Sequence, residues 1–263
     1  MAGPGLDDAV SVDAYDDADP APPVVPVPAT RARVPNGVRL YAVGDIHGRA
    51  DLLGYLHARI RLDASDAPES TKVVVYLGDY VDRGPDSRGV VDLILSDALP
   101  GFRTVALRGN HEELMLEFLT KPESARLWVM NGGDTTLRSY GVDPKGGDCY
   151  WVRDRFAAAL PAAHQGFFSG LPLTHAAGDY FFAHAGIRPG VPLDSQATDD
   201  LLWIRDEFLN SAADFGKVVV HGHTPRRVPD LLSNRIGIDT GAFATGRLTC
   251  LVLAGAEQHI LQT

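Results

Sequence analysis

Residues 104–117 read "TVALRGNHEELMLE". The apolar run 105–107 has strand character, and "EELMLEFL" at 112–119 has the spacing of the helix that follows. Between them Arg108, Asn110 and His111 crowd onto one tight turn at Gly109. Asn is an ordinary helix cap and Gly an ordinary turn residue, so this turn alone fits a cap as well as a site. The rest of the chain decides between them.

Working toward the N-terminus, the same grammar recurs twice. "GVRLYAV" (37–43) predicts a strand, "GDIHG" (44–48) a turn and "RADLLGYLHARIRL" (49–62) an amphipathic helix. "KVVVYL" (72–77) is the next strand, "GDYVDRGPD" (78–86) its turn and "SRGVVDLILSDAL" (87–99) its helix. Three successive units thus place acid, amide and imidazole groups after a strand and before a helix. Open α/β sheets bind ligands there, at the carboxyl ends of their strands. Toward the C-terminus, residues 122–175 read as helical, with "NGGDTTLRSYG" (131–141) a glycine-rich turn before a short helix. Strands then return as "DYFFAHAG", "GKVVVHGHT", "RIGIDTGAF" and "LTCLVLAG", the first two ending in His184 and in His221 with His223.

The collected turn residues are Asp45, His47, Asp79, Asp82, Arg83, Asn110, His111, His184 and His223. Divalent metals such as Mn, Fe and Zn accept this mixture of carboxylate, imidazole and amide oxygen. Six of the residues complete two adjacent sites if one carboxylate is shared, and Asp79, on the middle turn, is the natural bridge. Asp45 and His47 then hold the first metal with Asp79, and Asn110, His184 and His223 the second. Two metals about 4 Å apart activate a bridging water and clamp an in-line displacement at phosphorus. Arg83 and Arg205 in "LLWIRDEF" are the cationic partners for phosphoryl oxygens. His111, oriented by Asp82, is placed to give a proton to the departing oxygen.

The motifs "GDIHG", "GDYVDRG", "RGNHE", "HAG" and "GHT", in that order, resemble the phosphoprotein phosphatase (PPP) family of the calcineurin-like metallophosphoesterases. "NGG", "WIRDE" and "DTGAFATGRLTCL" are similar to patterns of its bacterial and bacteriophage-lambda-type serine/threonine phosphatases. The resemblance covers about residues 38–255. It implies an αββα sandwich of two mixed β-sheets flanked by helices, a dinuclear Mn, Fe or Zn centre and a phosphoprotein substrate. It also implies that the ligand in "HGHTP" is His223, leaving His221 as an alternative beside it.

Composition bounds the alternatives. With 34 acidic and 24 basic residues the formal net charge is −10, which disfavours a phosphate-backbone grip on nucleic acid and hence a nuclease. Cys149 and Cys250 are far apart, without metal-type spacing, and read as packing residues. No run approaches the roughly 18 apolar residues of a membrane span, and no signal-peptide pattern opens the chain, so a cytoplasmic protein without membrane contact is expected. Residues 1–35, rich in acids, Pro and Ala, lack an amphipathic period and are expected to be a disordered tail before a domain at 36–263. Asp134 and Asp239 read as cap and turn residues, and His57, His164, His175 and His259 as surface or packing groups. Two rival functions remain. One is a dinucleoside polyphosphate hydrolase on the same core; the other is an inactive binding module, which would lack a ligand or the His–Asp pair.

Overall fold

The computed structural model describes residues 32–263. The first three units appear as β1 (Val38–Val43), α1 (Ala50–Ser65), β2 (Thr71–Tyr76), α2 (Ser87–Leu95), β3 (Phe102–Ala106) and α3 (Asn110–Thr120). A helical stretch follows: α4 (Ala125–Trp128), an irregular turn at Val129–Gly133, α5 (Asp134–Ser139), α6 (Cys149–Ala159) and α7 (Ala162–Ser169). The second half contains β4 (Thr174–Ala177), β5 (Tyr180–Ala183), α8 (Thr198–Trp203), α9 (Asp206–Leu209) and β6 (Val218–His221). It ends with β7 (Asp230–Leu231), β8 (Arg235–Gly237), α10 (Ala242–Thr245), β9 (Thr249–Ala254) and β10 (Glu257–Gln262).

Two mixed five-stranded sheets result, in the orders β10-β9-β1-β2-β3 and β4-β5-β6-β8-β7. In the first, β1, β2 and β3 run parallel while β9 is antiparallel to β1 and β10. In the second, β5, β6 and β8 run parallel, with β4 and β7 antiparallel at the edges.

Side-chain alternation along the strands builds the layers. Leu40 and Ala42 of β1 meet Phe182 of β5 and Val220 of β6 in the core between the sheets. Tyr41 and Val43 point the other way, into a core with Leu53 and Leu56 of α1 and Val90 of α2. Phe181 and Val219 bury the outer face of the second sheet against Leu201 of α8 and Phe208 of α9. This is the αββα sandwich of two mixed sheets flanked by helices.

Of the segment read as a tail, residues 1–31 lie outside the described residues. Its end packs on the domain: Val34 is buried, its N–H donates to the Gly255 carbonyl, and the Arg33 N–H donates to Asp179 Oδ2. Among the described residues no helix is long and apolar enough to cross a membrane. Both cysteines are free thiols, Cys250 buried in the core.

Candidate active site

Among the described residues, those other than glycine with positive φ are His47 (46°), Asp79 (52°), Asp82 (72°), Arg83 (67°) and His223 (65°). All five were named from sequence. A side chain disfavours this backbone region, so such strain persists only where surrounding contacts over-determine it. Those contacts are visible. The Asp79 carbonyl accepts the N–H groups of Ile46 (3.1 Å) and His47 (2.8 Å), joining the turn after β1 to the turn after β2. Glu112, buried in the first turn of α3, accepts N–H groups from Asp79 (2.9 Å), Tyr80 (2.8 Å), Val81 (3.3 Å) and Gly109 (2.9 Å). One carboxylate therefore joins the turns after β2 and β3.

The imidazoles converge on Asp79 from two sides. The His47 Nδ1–H donates to the Val81 carbonyl at 2.9 Å, which leaves Nε2 as a lone pair 3.4 Å from Asp79 Oδ2. The His184 Nδ1–H donates to the Leu77 carbonyl at 2.9 Å, leaving its Nε2 lone pair 3.4 Å from Asp79 Oδ1 and 2.8 Å from Asn110 Oδ1. His223 Nδ1 lies 2.9 Å from that same amide oxygen. His47, Asp79 and His111 form one trio with ligand-type atoms within 4.8 Å of one another, and Asp79, His184 and His223 form another. Asp79 belongs to both.

Asp45 stands outside these trios but inside the site: its Oδ2 accepts the His223 N–H at 2.9 Å, and its buried Oδ1 has no partner. Burial, then the neighbouring Asp239 and Asp79, push the Asp45 carboxyl well above its ordinary range. Burial also pushes His47 and His223 well below theirs, so both imidazoles are neutral and able to coordinate. Lone pairs facing carboxylate and amide oxygens, with buried acids repelling one another, form an arrangement that cations complete. The donor set fits two metal ions.

The His111 Nδ1–H donates to Asp82 Oδ2 at 2.7 Å while His111 Nε2 faces Asp79 Oδ2 at 3.9 Å. Arg83 Nη1 donates to His47 Nε2 at 3.1 Å, and its guanidinium lies 4.8 Å from the Phe243 ring centroid. Arg205 lies in the link between α8 and α9, and its positive charge helps to depress His184 and His223. The structure thus gathers Asp45, His47, Asp79, Asp82, Arg83, Asn110, His111, His184 and His223 on the carboxyl-end turns, with Arg205 at the His184–His223 side.

His221 does not join them: it stacks edge-on against Phe208 at 5.0 Å and is pushed down to about 4 by burial. His57 (to the Tyr76 hydroxyl), His164 (to Tyr140 and Asp92), His175 (beside Arg103) and His259 (to Asp63) bond elsewhere. Asp134 opens α5, where it pairs with Arg138. Asp239 accepts the Gly241 N–H at 2.8 Å, as a turn residue does, and burial raises its carboxyl to about 6 next to Asp45. Glu112 and Phe243 were not singled out from sequence. Glu112 had a signal, since it is the third residue of α3 after an N-terminal Gly109, the reciprocal cap position.

The calcineurin-like phosphoesterase family model matches residues 38–250, and the chain belongs to that family. It is 30% identical over 227 residues to serine/threonine-protein phosphatase 1 of Salmonella typhimurium strain LT2, covering 83% of this chain and 94% of that protein. It is 24% identical over 229 residues to the asymmetrical bis(5'-nucleosyl)-tetraphosphatase PrpE of Bacillus thuringiensis strain Al Hakam, covering 80% and 88%. A crystal structure described as a candidate diadenosine tetraphosphatase superimposes with a TM-score of 0.60 at 25% identity, covering 88% of this chain and 98% of its own. The protein is a metallophosphoesterase, a hydrolase of phosphate esters whose family uses a dinuclear metal centre.

Proposed function

We propose that the protein is a serine/threonine protein phosphatase acting on phosphoproteins. Asp45, His47 and Asp79 would hold one cation and Asp79, Asn110, His184 and His223 the other. When bound, such a pair supplies Lewis-acid polarisation of the phosphoryl group and acidifies a water. The chain's own groups do the rest. Arg83 and Arg205 bind the peripheral phosphoryl oxygens, and the buried turns keep these groups fixed while charge develops. His111 delivers a proton from Nε2 to the departing ester oxygen, its ring orientation set by the Nδ1–H bond to Asp82.

The single observation that carries this reading is the 2.7 Å bond between His111 and Asp82. A serine or threonine alkoxide is a poor leaving group and needs a general acid, whereas a nucleotide polyphosphate leaves without one. The test is His111→Asn assayed on a phosphoserine peptide and on p-nitrophenyl phosphate. The peptide rate should fall at least about tenfold further than the nitrophenyl rate, the usual scale of general-acid effects. Equal losses with unchanged metal content would overturn the assignment. The second reading, dinucleoside tetraphosphate hydrolysis, is favoured by the two tetraphosphatase likenesses above.

A further inference from the structure

The "NGG" turn has no part in the mechanism so far, yet it closes over the acid pair. Asp82 is fully buried, and three side chains donate to its carboxylate. Oδ2 receives the His111 Nδ1–H, Oδ1 receives the Thr136 hydroxyl at 2.6 Å, and the Trp128 indole N–H spans both oxygens at 3.1 and 3.0 Å. The Asp82 N–H returns a bond to Thr136 Oγ1 at 2.8 Å and another to Ser87 Oγ at 3.1 Å. Since the Thr136 proton is committed to Asp82, the 2.9 Å contact between the two hydroxyls is donated by Ser87. A directed chain therefore runs from Ser87 through Thr136 to Asp82.

The glycines between Trp128 and Thr136 make this wrap possible. Gly132 has φ +97° and approaches so closely that a Cβ there would lie 2.7 Å from the Arg83 nitrogen. Its carbonyl accepts the Arg83 N–H at 3.3 Å. A Cβ on Gly133 would lie 2.5 Å from the Trp128 ring. Trp128 itself is clamped between Phe118 and Phe156, with ring centroids at 5.0 and 5.5 Å.

We infer that Trp128 and Thr136 are positioning residues for leaving-group protonation, fixing the rotation of the Asp82 carboxylate so that Oδ2 faces His111. The inference rests on the acid role proposed for His111. A carboxylate with three fixed donors has one orientation, whereas loss of the Trp128 or Thr136 donor frees it to turn away from the imidazole. The same segment pins the Arg83 backbone through Gly132, so acid and phosphate-binding groups share one support.

The test uses T136V, T136S and W128F in the full chain loaded with Mn, beside H111N. Thr136→Val keeps the shape and deletes the hydroxyl, and Thr136→Ser restores it. Thr136→Val and Trp128→Phe should each lower kcat on a phosphoserine peptide about tenfold, with less than about a threefold loss on p-nitrophenyl phosphate. Thr136→Ser should stay within about threefold of the native enzyme on both. In protein labelled with 15N-histidine, the His111 Nδ1–H should exchange faster with water in T136V than in T136S. If H111N shows the leaving-group-dependent loss while T136V lowers neither rate, or both alike, the positioning role is wrong. If H111N itself lowers both alike, the acid assignment fails and this inference falls with it. Should W128F lose folded protein, the T136V and T136S pair decides alone.

Discussion

Glu112 Oε2 accepts the Asp79 N–H at 2.9 Å, so the first turn of one helix fixes the backbone of the aspartate that both imidazole trios share. The same Glu112 carboxylate serves Tyr80, Val81 and Gly109. Glu112→Ala leaves these buried donors without an acceptor. Urea unfolding should show a loss on the order of 3–5 kcal/mol, with Glu112→Gln intermediate. A loss below about 1 kcal/mol would mean that the two turns hold themselves.

Asp79 belongs to both trios, so one substitution should disturb both cations. Asp79→Asn keeps the shape and removes the charge. Elemental analysis after dialysis should find fewer than two metals per chain, with activity down about a hundredfold or more. Two metals retained in that variant would remove Asp79 from its bridging place. Chelation of the native protein should likewise abolish turnover, and Mn should restore it.

Gly132→Ala meets two obstacles at once, a positive φ and the nearby Arg83 backbone. The expected cost is about 1–3 kcal/mol in chemical denaturation, with an activity loss larger than the unfolded fraction explains. An alanine variant as stable and active as the native protein would show that the turn is free to relax.

His57 bonds to Tyr76 rather than to any of the site residues and gives an acid-stability prediction. It is buried against the Tyr76 hydroxyl at 2.7 Å, and burial, then Arg61, push it down to about 4. An unfolded histidine titrates near 6.5. As pH falls below that value the unfolded chain takes up a proton that the folded chain refuses, so stability declines until about pH 4 and then levels. The contribution is up to about 3 kcal/mol. His57→Gln should therefore flatten the unfolding free energy between pH 6.5 and 4. An unchanged slope would mean that other groups dominate it.

Much of this was legible in the sequence because strand-turn-helix periodicity and polar turn residues are local signals. Asp45, His47, Asp79, Asn110, His184 and His223 all follow apolar strand runs, and the fold brings those turns together. The strands β4, β7 and β10 were not distinguished. β7 has two residues, and β4 and β10 are edge strands without a clean apolar alternation. Trp128 and Thr136 were hidden for a different reason. They lie 46 and 54 residues from Asp82, and an indole and a hydroxyl carry no local sign of the carboxylate they serve. Glu112 was hidden in plain view, since a glutamate near a helix start reads as a cap and its bonds across to Asp79 depend on the tertiary fold.

The most direct test of the central claim, that this metallophosphoesterase is built for alkyl phosphate monoesters, is a substrate comparison. kcat/KM should be measured on a phosphoserine peptide and on diadenosine tetraphosphate with one Mn-loaded preparation of the native chain. The peptide should be preferred by at least about tenfold. A preference of that size for diadenosine tetraphosphate would contradict it and assign the site to dinucleotide hydrolysis.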